Sequence, residues 1–288
     1  MKASDLLVQC LEAEGIEYIF GVPGEENADF MMSLERSERI RFVLTRHEQG
    51  AAFMAEVYGR LTGAVSGCLG TLGPGATNLI TGVADGNMDR APLLVLTGQG
   101  STERLHKESH QNMDAIAIFK PISKWAHSIY DARNIPEVVR KAFKIAEAEK
   151  PGATVIELPE DIAENDVDLA PMRVNKTRRP AADHKAVSQA VDLIAAAKRP
   201  LIIAGNGAVR KRAAMQLKRL AHKSGIGGIN TFMGKGAIPR SDRHCLFTMG
   251  LQGRDHIIGA TDEADLIISV GYDLVEFSPA FWNQAGGK

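Results

Sequence analysis

A glutamate stands at Arg46-His47-Glu48-Gln49-Gly50, and about one strand–helix step later comes Gly73-Pro74-Gly75-Ala76-Thr77-Asn78. Glu48 has two readings. In a first helical turn it favours the positive end of the helix dipole, a gain of roughly a few tenths of a kcal/mol. Set after a strand end and flanked by small residues, it instead turns a carboxyl into a cleft, where desolvation prepares such a group to exchange a proton. The glycine-proline turn permits close backbone approach to a ligand, and a helix start there would suit an anion. No Lys-Ser/Thr pair follows it, so it is not a P-loop. His106, His110 and Gln111 fall in a polar stretch after the next apolar run, and His47 adjoins Glu48. Neither an HExxH pattern nor a second carboxylate at ligand spacing accompanies these histidines, so no metal ligands are expected and they read as exposed or loop-packing side chains. Gly205-Asn206-Gly207 has half of a dinucleotide fingerprint, with Arg210 in the third glycine position, and reads as a plain turn. Gly234-Lys235-Gly236 has the look of a phosphate loop, but Pro239 blocks the helix such a loop needs.

These groups need elements to position them. A first helix carrying Leu6, Leu7, Cys10 and Leu11 is expected, capped by Ser4 or Asp5 and ended by Gly15. Apolar runs at 16–22, 41–45, 65–71, 92–97, 122–127 and 152–158 read as strands. Helices are expected at 25–34, 47–61, 76–88, 113–119 and 135–150. In the second of these, Ala51, Phe53, Met54, Val57, Tyr58 and Leu61 supply the apolar surface. Strands without polar alternation suit a sheet covered on both faces. The alternation of strands and helices predicts a doubly wound parallel α/β sheet over residues 1–160. Glu48 and the turn at 73–78 then converge on one sheet edge, the edge where open α/β sheets bind ligands. Residues 161–184 read as a polar linker whose basic run, Lys176-Thr177-Arg178-Arg179, is solvated. Residues 185–288 read as a second, Rossmann-like α/β domain, with helices at 187–197 and 210–223 and strands at 200–205, 226–230 and 264–271. The sequence stops soon after the last strand, which predicts that this domain is cut short.

Bulk composition excludes several classes. Thirty-four basic residues balance 35 acidic ones, so neither a nucleic acid nor an anionic membrane is implied as partner. Cys10, Cys68 and Cys245 are far apart and read as free thiols of a reducing cytoplasm. No apolar run approaches the ~20 residues of a membrane span. Asp5, Gln9 and Glu12 interrupt the N-terminal apolar patch, against a signal peptide.

Four motifs in this order are specific in combination. They are Gly21-Val22-Pro23-Gly24-Glu25, R-H-E-Q-G-A-A-F-M-A at 46–55, G-P-G-A-T-N at 73–78, and P-G-A-T-V-I-E-L-P-E-D at 151–161. Together they resemble thiamine-diphosphate-dependent enzymes of the acetohydroxyacid/acetolactate synthase group, over essentially the whole chain. The resemblance implies a pyrimidine-binding domain at 1–160 and an incomplete central domain from 185. The third domain, which carries the diphosphate and Mg2+ ligands, has no counterpart, and its G-D-G…N-N pattern is absent. By the same resemblance, Glu48 hydrogen-bonds a ring nitrogen of the aminopyrimidine and helps release the thiazolium proton, the carbanion chemistry being the cofactor's own. Val22, Pro23, Gly24, Thr71, Pro74 and Asn78 would line the pyrimidine pocket. Gln111, with His110 beside it, would reach the reacting intermediate.

The His110-Gln111 pair and residues 271–283 resemble the flavin-free, catabolic subgroup, so FAD is not expected. The runs at 234–239 and 249–253 resemble the biosynthetic subgroup, and Glu160 stands where many members have Lys or Gln. The implied reaction is acetolactate synthesis. One pyruvate is decarboxylated on thiamine diphosphate, and the hydroxyethyl carbanion joins a second pyruvate to give 2-acetolactate and carbon dioxide. A homodimer or homotetramer is implied, because the family's active site lies between two chains. Two alternatives stand beside this reading. One is another thiamine-dependent 2-oxo acid carboligase or decarboxylase. The other, for this segment alone, is a non-catalytic or dinucleotide-binding module, since the segment by itself is expected to be inactive.

Overall fold

The computed structural model describes residues 1–105, 107–175, 180–250 and 256–283. His106, the basic run at 176–179 and most of the 249–253 motif lie outside the described residues. The chain divides into two compact units, Met1–Arg178 and Arg179–Lys288.

The first unit opens with α1 (Ala3–Glu14), β1 (Tyr18–Gly21), α2 (Ala28–Glu35), β2 (Arg41–Leu44), α3 (Glu48–Thr62) and β3 (Ser66–Gly70). It continues with α4 (Pro74–Asn78), α5 (Ile80–Met88), β4 (Leu93–Gln99), α6 (Ala115–Phe119), β5 (Trp125–Ser128), α7 (Ile135–Glu147), β6 (Ala153–Pro159) and α8 (Glu160–Glu164). The six strands form one sheet in the order β2-β1-β3-β4-β6-β5, and every pairing is parallel. The doubly wound expectation is met, with helices on both faces. Alternate strand residues feed opposite cores. Leu94, Leu96, Ile156 and Leu158 pack with α1 and α7, while Leu93, Val95, Ala153 and Val155 pack with α3 and α5. This is the period of two that a strand imposes on its side chains. α7 shows how sequence makes one layer. Val138, Val139, Ala142, Phe143 and Ala146 are buried along one face, so the helix is held by burial rather than by intrinsic propensity.

Local expectations are revised in four places. Ser4 and Asp5 do not cap α1, because the helix already begins at Ala3 with Lys2 as its flanking residue. Ser4 instead accepts a hydrogen bond from the Ser33 hydroxyl, and Asp5 pairs with Arg36. The buried face of α3 is made of Glu48, Ala51, Ala52, Ala55, Glu56 and Gly59, while Met54, Val57 and Leu61 are exposed. Small side chains let α3 lie close against α5: a Cβ added to Gly82 would fall 2.6 Å from the Ala52 Cβ. The helix expected at 76–88 is two, α4 and α5, meeting at Leu79. The stretch expected to be linker begins as α8, whose Ile162 and Ala163 are buried in the first core, and Lys2 bridges to Asp166 beyond it.

The second unit contains α9 (His184–Ala196), β7 (Pro200–Ala204), α10 (Lys211–Ser224), β8 (Gly228–Asn230), β9 (Cys245–Thr248), α11 (Ile258–Glu263), β10 (Leu266–Val270) and α12 (Pro279–Trp282). Its sheet runs β10-β7-β8-β9, again parallel. Ile202 and Ala204 pack under Leu217 and Ala221 of α10, and Leu201 and Ile203 face Phe277 and Trp282. β9, α11 and α12 were not among the expected elements. Gly205 and Gly207 close against the backbone of Gly271 and Tyr272, and a 3-10 turn follows over Asn206–Val209. Strand-end packing therefore accounts for these glycines, as the plain-turn reading has it. All three cysteines are free, with Cys10 and Cys68 buried. No helix among the described residues is long and apolar enough to cross a membrane.

Candidate functional site

The strand order makes β1 a switch point. β1 pairs with β2 on one side and β3 on the other, so the connections leaving their carboxyl ends diverge and leave a crevice. Val22, Pro23 and Gly24 follow β1, Glu48 follows β2, and Thr71 and the 73–78 turn follow β3. Two backbone bonds hold these ends together: Thr45 N–H donates to Gly21 O at 2.9 Å and Val22 N–H to Leu69 O at 3.3 Å.

Glu48 is the first residue of α3. His47 flanks the helix and its Nδ1 accepts the Gln49 N–H at 3.1 Å. The histidine beside the glutamate is thus a helix cap, as its ring replaces a partner the first turn lacks. The Glu48 residue is only 8% exposed. Its Oε2 accepts from Asn78 Nδ2 at 2.9 Å, across from α4. Oε1 takes no hydrogen bond from the described residues. A carboxylate withdrawn from water is costly unless its oxygens are satisfied, so Oε1 is the atom at which a ligand donor or ring nitrogen would be met.

The turn after β3 is shaped for a close approach. Gly73 has φ 55° and ψ −118°, a conformation that only glycine adopts at little cost. A Cβ there would lie 2.6 Å from the Gln111 carbonyl oxygen, so Gly73 is what lets the Gln111 loop reach this turn. A Cβ on Gly75 would lie 2.8 Å from Thr71 Cγ2 and 3.5 Å from Glu48 Oε1. The bare Gly75 backbone therefore lets α4 close on the Thr71 side chain beside the Glu48 carboxylate. Gly24 faces the Thr71 side chain, and the Thr71 hydroxyl donates to Glu26 Oε2 at 2.8 Å. A buried carboxylate with one oxygen left without a partner among the described residues, beside the Asn78 amide and the Thr71 hydroxyl, fits a heteroaromatic ring carrying nitrogen donors and acceptors.

Of the residues singled out in the sequence, Glu48, Asn78, Thr71, Gly24 and the backbone of Gln111 meet through these contacts. Val22 is tied to β3. Pro23, Pro74 and His110 are exposed, and the His110 side chain makes no hydrogen bond with the described residues. Gln111 lies at φ 55°, a region that a non-glycine residue enters only when its surroundings impose it.

Four supporting groups surround the site, of which the sequence singled out Glu160 alone, as a departure from its family. Gln99, at the end of β4, donates from Nε2 to Met113 O at 3.0 Å and to Glu157 Oε2 at 3.1 Å. Glu157 lies in β6, in register with Thr97 and Ser128, and burial pushes its carboxyl up to about 7 against the opposing hydrogen bond from Gln99. Glu160 Oε1 accepts the Ser101 N–H at 2.9 Å and pairs with Arg104 at 3.3 Å. Asp161 accepts the Thr102 N–H at 3.0 Å. The loop that carries His110 and Gln111 is thus anchored by β4, β6 and α8. A single acidic residue inside an apolar strand is the signal that marks Glu157.

Residues 1–118 match the family described as thiamine pyrophosphate enzyme, N-terminal TPP binding domain, and residues 187–285 match thiamine pyrophosphate enzyme, central domain. The chain belongs to the thiamine pyrophosphate enzymes and carries their N-terminal and central domains. Within that class its similarity runs to acetolactate synthase large subunits. It is 38% identical over 280 residues to a probable acetolactate synthase large subunit of Methanococcus aeolicus, covering 94% of this chain and 46% of the relative. It is 33% identical over 293 residues to the acetolactate synthase of Bacillus subtilis (strain 168), covering 100% of this chain and 50% of that protein. A glyoxylate carboligase of Escherichia coli O157:H7 is 36% identical over 275 residues, covering 94% of this chain and 46% of that protein. The chain spans about half the length of the curated relatives it matches.

Proposed function

We propose that this chain supplies the pyrimidine-recognising part of a thiamine-diphosphate-dependent acetolactate synthase that converts two pyruvates to 2-acetolactate and carbon dioxide. The observation that carries the reading is Glu48: nearly buried at the switch point, with Oε2 fixed by Asn78 and Oε1, beside Gly75, without a hydrogen-bond partner among the described residues. When bound, thiamine diphosphate supplies the electron sink for decarboxylation and for making the new carbon–carbon bond. Glu48 Oε1 holds or releases a proton at a ring nitrogen, and Asn78 keeps the carboxylate from rotating away. Val22, Pro23, Gly24, Thr71 and Pro74 bound the ring. Gln111 and His110 face pyruvate from the loop that Gln99 and Glu160 anchor. The diphosphate and its Mg2+ fall to residues beyond those in this chain, FAD takes no part, and the site is completed by a second copy in a cytoplasmic homodimer or homotetramer.

Acetolactate formation from pyruvate with thiamine diphosphate and Mg2+ tests the reading, on this chain and on any longer protein that carries it. Glu48→Gln should lower turnover of the active form by about 10²–10⁴-fold, the usual worth of a positioned proton partner. Near wild-type turnover in that variant would remove Glu48 from the role. The glyoxylate carboligase relative supports a second reading, a carboligase for another 2-oxo acid. Turnover of glyoxylate without acetolactate formation would favour it.

A further inference from the structure

The second unit brings together three side chains that linear spacing hides. His222 stands in the last turn of α10, and Asp242 and His244 lie in the turn that leads into β9. His222 Nε2 is 2.7 Å from Asp242 Oδ2, although 20 residues separate them. His244 Nδ1 is 3.0 Å from Asp242 Oδ1. The two rings meet at 65° with centroids 4.7 Å apart, and one ligand atom from each residue lies within 4.8 Å of the others. Two imidazole nitrogens from separate elements therefore converge on one carboxylate.

The surroundings favour a ligand over a bare hydrogen-bonded clamp. The Asp242 side chain is 3% exposed and that of His244 9%, while that of His222 is 45% exposed. The carboxylate is withdrawn from water, and its nearest permanent cation, Lys218 one turn earlier on α10, stands 4.0 Å away. The position of Asp242 is set by backbone bonds, its N–H to Pro239 O at 2.8 Å and its carbonyl from Cys245 N–H at 3.0 Å, and its Oδ1 also accepts the His244 N–H at 3.0 Å. Two nitrogens and one carboxylate oxygen are a donor set for Zn2+ and its neighbours, whereas Mg2+ prefers oxygen alone. A tetrahedral ion with bonds of about 2.1 Å separates its ligand atoms by about 3.4 Å, so the 2.7 Å and 3.0 Å contacts, now made to the two different oxygens of Asp242, open by about 0.7 and 0.4 Å as both nitrogens come to share one of those oxygens through the ion. The half-exposed His222 can yield that distance, and its solvent side leaves room for a water as fourth ligand.

We propose that His222, Asp242 and His244 bind one divalent transition-metal ion of the Zn2+ class. The ion joins the end of α10 to the sheet's edge strand. That strand needs a fastener: β9 pairs with β8 across a register shift, and Phe247 within it sits at φ 70°. Metal sites that join two elements convert binding free energy into local folding free energy.

The test uses the 288-residue chain, stripped with EDTA and needing no thiamine diphosphate. Zn2+ added in a calorimeter should bind one ion per chain with micromolar or tighter Kd, raise the melting temperature and be undisturbed by millimolar Mg2+. Co2+ should give the intense visible bands of a four-coordinate site without a near-ultraviolet thiolate band, since Cys245 is adjacent in sequence but not a ligand here. His222→Gln and Asp242→Asn should each weaken binding at least about tenfold, with the far-ultraviolet circular dichroism of the metal-free chain unchanged. Lys218→Gln should leave binding equal or tighter. The proposal is overturned by failure of the wild-type chain to bind stoichiometrically, by equal affinity in His222→Gln, by a thiolate band, or by displacement with Mg2+.

Discussion

Glu157 shows how much one buried carboxyl can change. It sits 4% exposed in β6, and burial raises it to about 7, against about 4.3 for an unfolded glutamate. Between those values the folded chain binds more protons than the unfolded one, so stability falls as pH rises through the interval and stays lower above it. Glu157→Gln keeps an oxygen for Gln99 Nε2 and removes the charge. At pH 8 the variant should be more stable than the wild type by on the order of 3 kcal/mol, the shift converted at about 1.4 kcal/mol per unit. Near pH 4 the two should differ little. Urea midpoints at both pH values decide the matter, and a difference independent of pH would mean that Glu157 ionises normally. Glu48 is placed differently, at a helix start with one oxygen held by Asn78 and the other without a hydrogen-bond partner among the described residues. One acid is therefore held inside the sheet beside the loop, while the other is the one the proposed function gives to the ligand.

At the scale of elements, the loop after β4 is the part whose position decides the site, and α8 is its anchor. Glu160 receives the Ser101 N–H and Arg104, and Asp161 receives the Thr102 N–H. Glu160→Lys would replace that acceptor with a cation facing Arg104. Partly exposed pairs contribute little individually, so the cost to global stability should be about 1 kcal/mol. The larger effect should be local: faster amide exchange over 101–112 and a raised KM for the oxo acid in the active form, with secondary structure retained. Unchanged exchange over that loop would show that Asp161 and Gln99 suffice to hold it. The strands were legible because buried parallel strands are continuous apolar runs, and Glu48 and the 73–78 turn because a charge and a glycine-proline pair interrupt such runs. Glu160 was legible only as a departure from its family, since its partners lie 59 and 56 residues away. The face of α3 was misread because periodicity reports where apolar residues recur and not which side the sheet takes. Ala51, Ala52 and Ala55 face inward, where two helices close on each other, and the larger side chains do not fit there.

At the scale of the molecule, that outward face becomes informative. α3 buries small residues, with Glu48 and Glu56 among them, and carries Met54, Val57 and Leu61 outside at 48%, 47% and 82% exposure. A row of large apolar side chains left exposed at helical spacing is the kind of surface that another molecule covers. The homo-oligomer proposed with the function needs an interface, and this face of the first unit is offered for it. A net charge of −1 presents little long-range repulsion between copies. Met54→Lys with Leu61→Glu should therefore weaken self-association at least about tenfold, as expected when central apolar anchors are lost from an interface. Both positions are exposed in the single chain, so the melting temperature at high dilution should change little. Light scattering across a dilution series, for wild type and variant, measures the shift. A wild type that stays monomeric at every concentration would detach this face from the oligomer, and equal association in the variant would place the contact elsewhere on the chain.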